Sequence, residues 1–114
     1  MARTRYYAAA VRFIRGQAAE ALQLSQQAIA LDPRYASAHN LVGAIHASLG
    51  QQKDARNALL TALRLNPRDS APYLNLGLLE LTANNRAAAA GYFAEALSLD
   101  PKSSAARQGL AQTR

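Results

Sequence analysis

Apolar residues recur three and four positions apart along most of the chain, as in Leu41, Ile45 and Leu49. Because an α-helix turns once every 3.6 residues, this spacing places the apolar residues on one helical face. No stretch shows the strict alternation of apolar and polar residues that indicates a half-buried β-strand. The pattern predicts helices near residues 3–15, 18–31, 36–49, 52–65, 70–83, 86–99 and 103–112.

The interruptions between these stretches are themselves periodic. A leucine, an acid or amide and a proline occur together three times, ending at Pro33, Pro67 and Pro101, which are 34 residues apart. A fixed period of this length indicates a helical repeat protein, in which each unit packs against its neighbours. Other residues in the same register are Ala21, Ala55 and Ala89; Ala28, Ala62 and Ala96; Leu31, Leu65 and Leu99; and Gly43 and Gly77.

Each repeat also has a break near its middle. Gly16, Gly50 and Asn84 lie where a residue in the left-handed backbone conformation can end a helix. Each repeat is therefore predicted to contain two helices joined by a short turn, and short connections make consecutive helices antiparallel neighbours. The alanines and glycines in register are expected to let neighbouring helices approach closely.

These features resemble the tetratricopeptide repeat (TPR) family, whose 34-residue unit has a small residue at position 8, alanines at 20 and 27 and proline at 32. In that frame the chain is a single domain, 1–114, with repeats 2–35, 36–69 and 70–103 and a closing helix, 104–114. The resemblance implies an all-α fold, a right-handed superhelix (solenoid) of antiparallel helix pairs. Repeat 1 departs most from the family pattern, since Arg5 and Arg12 occupy positions that are usually aromatic.

The amino-acid composition gives the chain a net positive charge. The 114 residues include 13 Lys and Arg and 7 Asp and Glu, for a formal charge of +6, and no cysteine. Disulfides and thiolate metal sites are therefore excluded. Arg3, Arg5, Arg12 and Arg15 all precede the first acid, Glu20. This basic block is either a solvated helix face or a contact for an acidic protein, a nucleic acid or an anionic membrane.

The residues needed for catalysis are sparse. His39 and His46 are the only imidazoles, and on one helix they lie about 10 Å apart, too far to share a metal without ligands from elsewhere. We expect both to be packing residues with local hydrogen bonds rather than ligands, bases or pH sensors. Asp69 is expected to cap a helix. The sequence contains no paired carboxylates and no phosphate-binding glycine loop, so we expect no enzymatic activity, cofactor, metal or small-molecule substrate.

The family resemblance also implies a binding surface, because in that family the first helices of successive repeats line a concave groove. Tyr6 and Tyr7 are candidate anchors there, or else cover the first helix pair. The amides of Asn40 and Asn75 could pair with a peptide backbone. The candidate groove residues are Arg3, Tyr6, Tyr7, Ala10, Phe13, Asn40, Leu41, Ala44, Leu74, Asn75, Leu78 and Gln108. Further groove positions hold Ile14, Ser37, Ala47, Ser48, Ala71, Leu81, Thr82, Ala105, Gly109 and Gln112.

One subclass of the family binds acidic C-terminal tails through a clamp of lysine, arginine and asparagine. The matching positions here hold Tyr6, Ala10, Leu41, Ala71 and Asn75, so the clamp is absent. The sequence therefore predicts a scaffold that binds a protein or peptide, with any acidic ligand held by the arginines of the first helix.

Other functions stay open at this stage. The chain could be an accessory or oligomerisation module of a larger protein, including an enzyme, or a homodimer through its terminal helices, because Leu110 and Ala111 give the closing helix apolar character. Nucleic-acid binding is disfavoured because the later basic residues are dispersed over second helices and turns. The sequence indicates neither a signal peptide nor a membrane span, which favours a cytoplasmic location.

Overall fold

The computed structural model describes residues Met1–Arg114 and contains seven α-helices and no β-strand. Every predicted helix is present, and its ends lie within one residue of the predicted positions. No helix is both long enough and apolar enough to cross a membrane. The helices are α1 (Ala2–Ile14), α2 (Ala18–Leu31), α3 (Ala36–Ser48), α4 (Gln52–Leu65), α5 (Ser70–Thr82), α6 (Arg86–Leu99) and α7 (Ser104–Gln112).

The turns within the helix pairs have the predicted backbone conformation. Gly16, Gly50 and Asn84 have φ values of 79°, 76° and 65°, in the left-handed region that glycine and asparagine tolerate best. In the second of these turns, the Gln51 backbone N–H donates to the carbonyl of His46 at 2.9 Å. Such bonds satisfy carbonyls that the end of a helix would otherwise leave without a partner.

The helices form two compact units, Met1–Asn66 and Pro67–Arg114. In the first unit, α1 packs on α2, α2 on α3 and α3 on α4, and α1 also contacts α3. Small residues allow the close approach: a Cβ atom added to Gly43 would lie 2.6 Å from the Leu59 side chain. The core cluster contains Ala9, Ala21, Leu41 and Ile45, with Tyr6, Ala10, Phe13, Ala18, Leu22 and Leu24 packed against it.

The second unit is built around Phe93 of α6, whose side chain is fully buried. A Cβ atom added to Gly77 of α5 would lie 2.6 Å from this ring, and one added to Gly109 of α7 would lie 2.5 Å from it. The ring therefore occupies the space that side chains would take on two different helices. Ala89 and Ala96 are buried on the same helix as Phe93, as their place in the repeat predicts.

Two helices of the second unit begin with side-chain caps. The Ala71 backbone N–H donates to Asp69 Oδ1 at 3.1 Å, which confirms the predicted cap of α5. At the start of α7, the Ala106 N–H donates to Ser103 Oγ at 3.1 Å. Each cap satisfies a backbone donor that the first turn of a helix leaves free.

Candidate functional site

The two histidines make local hydrogen bonds. His39 Nε2 lies 2.9 Å from the carbonyl oxygen of Pro33, and His46 Nδ1 lies 2.6 Å from Gln51 Oε1. Both rings are half-buried. The predicted local hydrogen bonds of both histidines are therefore present.

A second polar pair repeats the link between His46 and Gln51. Asn85 Nδ2 donates to Glu80 Oε2 at 3.1 Å, and Glu80 occupies the same place in its repeat as His46. The Glu80 side chain is buried, so the amide provides a partner for a carboxylate that water barely reaches. Each pair links the end of the first helix of a repeat to the residue before the second helix, and so stabilises the turn between them. The chain has no group of three or more His, Asp or Glu side chains that could hold a metal ion.

The candidate surface in the first unit begins with an aromatic group on α1. The Tyr6 ring centroid lies 5.1 Å from that of Tyr7 and 5.2 Å from that of Tyr35. Tyr6 is half-buried, whereas Tyr7 exposes 59% of its surface. Packed rings of this kind present a rigid apolar area with hydroxyl groups at its edge.

Tyr35 was not among the residues selected from the sequence. Tyr35 immediately precedes α3 and is the last residue of repeat 1. Because it lies outside the helices, the helical pattern of apolar residues does not predict that its ring contacts α1. An aromatic residue at a repeat junction was the available signal. Only the folding of α3 back beside α1 brings the two tyrosines together.

The remaining candidates in the first unit differ in their exposure. Arg3 is exposed, and Asn40 and Ala44 of α3 are half-buried. Ala10 and Phe13 pack against the core cluster and keep part of their surface.

Leu41 does not suit a binding role. It is only 9% exposed and belongs to the core cluster, so its side chain offers almost nothing to a partner. The family resemblance predicts Leu41 in the groove, but the face of α3 that carries it packs against Ala9 of α1 and Ala21 of α2.

In the second unit, α5 and α7 contact each other and carry the other candidates. Leu78 exposes 45% of its surface, Leu74 and Asn75 are half-buried, and Gln108 is exposed. The family resemblance also predicts Gly109 in the groove, but this prediction is wrong, because Gly109 is buried against the Phe93 ring.

Arg5 lies apart from these candidate surfaces. Its guanidinium donates to Gln27 Oε1 at 3.3 Å, which directs the side chain towards α2. Together with Ala30 and Leu31, these residues line an open depression of about 500 Å³. The N-terminal arginines therefore do not form one continuous basic face.

Comparisons with known proteins identify the repeat. A family model described as TPR repeat matches residues 9–50, and one described as tetratricopeptide repeat matches residues 48–104 and 74–112. No curated protein matches the sequence.

Several solved structures share the fold. The first TPR domain of human RPAP3 superimposes with a TM-score of 0.94 at 18% identity, covering 99% of this chain and 89% of that one. The Arabidopsis OM64 TPR domain gives 0.92 at 19% identity, covering 99% and 93%. The first TPR of Spaghetti (RPAP3), bound to the HSP90 peptide SRMEEVD, gives 0.91 at 18% identity, covering 98% and 89%.

The family models together span nearly the whole chain, and the structural matches confirm the predicted all-α, TPR-like solenoid. TPR domains are typically a protein-interaction fold without enzymatic activity. With its 34-residue period, its left-handed turns and its buried alanines, this chain belongs to the tetratricopeptide repeat family.

Proposed function

We propose that this protein is an interaction scaffold that binds an extended peptide or a helix of a partner protein along the first helices of its repeats. The observation that carries the proposal is the exposed aromatic group on α1, because Tyr7 keeps 59% of its surface beside the packed rings of Tyr6 and Tyr35. Large, rigid side chains of this type often dominate binding energy at protein interfaces.

Polar groups beside the apolar ones support a peptide ligand. Asn40 lies on α3, which contacts α1, and a half-buried amide can both donate to and accept from a peptide backbone. In the second unit, Leu78 and Leu74 provide apolar area, and Asn75 provides a half-buried amide. The two units therefore offer the same mixture of apolar and amide side chains.

The charge of the surface favours an acidic partner. The related Spaghetti domain is bound to a peptide that contains two glutamates and an aspartate. This chain lacks the lysine and arginine clamp at the matching positions, so it would use the exposed Arg3 instead. We therefore propose an acidic or partly apolar segment as ligand, and one different from a chaperone tail.

The proposal is tested by selecting linear peptides from a displayed library and measuring their affinity for variants. We expect Tyr7→Ala and Leu78→Ala, one in each unit, to weaken binding by about tenfold or more. Leu60→Ala is the matched control, since Leu60 of α4 is 44% exposed and lies outside the proposed surface. Equal affinities for the wild type and both surface variants would move the binding site elsewhere.

A further inference from the structure

A stripe of large apolar side chains lies uncovered on α1. Tyr7, Val11 and Ile14 expose 59%, 47% and 85% of their surfaces. Their spacing of four and three residues places them on one helical face. Three neighbouring apolar side chains at this exposure form a patch that favours contact with another molecule.

The next repeat indicates what covers such a face. Thirty-four residues later, Leu41 and Ile45 of α3 occupy the places of Tyr7 and Val11, and they are only 9% and 0% exposed. They are buried in a cluster with Ala9 of α1 and Ala21 of α2, and further residues of both helices, among them Leu22 of α2, pack against it. On α3, therefore, this face is covered by the preceding pair of helices. On α1 the equivalent face has no covering helix.

Charge at the ends of the stripe narrows the choice of partner. Arg3 lies one helical turn before Tyr7, and Arg15 lies one turn after Val11. Both arginines are exposed, and no acidic residue occurs before Glu20. A helix docked on the stripe would therefore meet positive charge at both ends, which favours acidic residues on that helix.

We propose that this N-terminal edge, defined as Tyr7, Val11 and Ile14 with Arg3 and Arg15, binds an acidic amphipathic helix of a partner protein. The partner helix takes on α1 the position that α2 takes on α3. A second copy of the chain is a poor occupant, because α1 and α7 contain arginines and no acidic residue, and two such surfaces repel each other.

This edge overlaps only in part with the surface proposed for the peptide ligand. Val11 is not a first-helix groove residue, and Leu78, which belongs to the proposed peptide surface, is on another unit. Arg3, Tyr7 and Ile14 are groove positions as well and belong to both surfaces. Variants of Val11 and Leu78 therefore separate the two proposals experimentally.

The test uses a dye-labelled synthetic helix of about 18 residues, long enough for appreciable helicity, with leucines along one face and glutamates beside them. A control peptide replaces every glutamate with lysine. We expect the full chain to bind the acidic peptide about tenfold more tightly than the basic one in fluorescence anisotropy. Equal affinities for the two peptides would overturn the proposal.

Variants of the chain locate the contact. Val11→Asp combined with Ile14→Asp is expected to weaken binding of the acidic peptide about 100-fold, because both side chains lose apolar contact and carry a repelling charge. The controls are Leu60→Asp, at a leucine of the same unit that is 44% exposed, close to the 47% of Val11, and Leu78→Ala; both should bind as the wild type does. Unchanged binding by the double variant would contradict the assigned edge.

Charge reversal gives an independent readout that leaves the apolar stripe intact. Arg3→Glu combined with Arg15→Glu should reverse the preference, so that the lysine peptide binds more tightly than the glutamate peptide. An unchanged preference would rule out these arginines as the source of specificity. Sedimentation of the chain alone completes the test: a dimer that Val11→Asp dissociates would mean that a second copy occupies the edge and would overturn the proposal.

Discussion

Gly77→Ala tests how the second unit is packed. The new Cβ atom would lie 2.6 Å from Phe93 Cε1 and 2.7 Å from Cδ1, well inside van der Waals contact. A ring with free space behind it could move away from this contact at small cost. Phe93 is fully buried, and a Cβ atom on Gly109 of α7 would also lie 2.5 Å from its Cε1 atom, so the ring packs closely against a second helix as well.

Two opposing effects set the expected magnitude. Alanine is favoured over glycine within a helix by about 0.5–1 kcal/mol, which would stabilise the folded state. Overpacking of a closely packed core costs about 1–3 kcal/mol. Since Phe93 is fully buried and confined by glycines on two helices, the second effect is the larger. We expect Gly77→Ala to lower the free energy of unfolding by about 1–2 kcal/mol.

The chain contains a matched control for this substitution. Gly91 is also helical, but it is exposed, and an added Cβ atom would meet no other atom within 4 Å. Gly91→Ala should therefore raise the free energy of unfolding by about 0.5–1 kcal/mol. Urea denaturation followed by far-UV circular dichroism measures both changes, with the slope of the transition checking that the unfolded state is comparable.

A double-mutant cycle isolates the contact with the ring. In a Phe93→Ala background the ring is absent, so Gly77→Ala should become neutral or stabilising. If Gly77→Ala in the wild-type background stabilised the protein as much as Gly91→Ala does, the Phe93 ring would not restrict the space at this position.

Three further substitutions are predicted to change the free energy of unfolding measured in the same way. Asp69→Ala removes the cap of α5 and should lower the free energy of unfolding by about 1 kcal/mol, whereas Asp69→Asn should retain most of the stabilisation that the cap provides. Gly50→Ala places a Cβ atom on a residue with a φ of 76° and should cost about 1 kcal/mol because of that left-handed conformation. The added atom would meet no other atom within 4 Å, so a steric clash cannot account for the loss. An unchanged stability would contradict the role of the left-handed conformation. Ala55→Leu enlarges a fully buried residue and should cost about 1–3 kcal/mol, while the exposed Ala87→Leu should have little effect.

Much of the fold could be predicted because its determinants are local and repeated. The left-handed turn at Gly50 and the cap at Asp69 each depend on a few neighbouring residues, and the structure contains both. The small residues at Gly43 and Gly77 were assigned to close helix packing from their register, and both approach the large side chain of a neighbouring helix. Left-handed turns and small residues at helix contacts recur in successive repeats, which makes them easy to recognise in the sequence.

The candidate surface was harder to predict because exposure depends on which helices are neighbours. Leu41 and Tyr7 hold the same place in successive repeats, yet one is buried and the other is 59% exposed. The difference arises because residues of α1 and α2 cover this face of α3, whereas no preceding helix pair covers the face of α1 that carries Tyr7. A position in a repeat therefore defines the face of the helix on which a residue lies. Whether that face is exposed to solvent depends on which other helices pack against it.

The seven helices, their turns and the small residues where they pack can be predicted from the sequence alone, because helical period, backbone conformation and side-chain size act over short distances along the chain. Three further features appear only in the folded chain: Phe93 packs against both Gly77 and Gly109, the Tyr35 ring packs against the Tyr6 ring, and Ile14 is exposed. These facts depend on contacts between residues far apart in sequence, and such contacts exist only once the helices have packed.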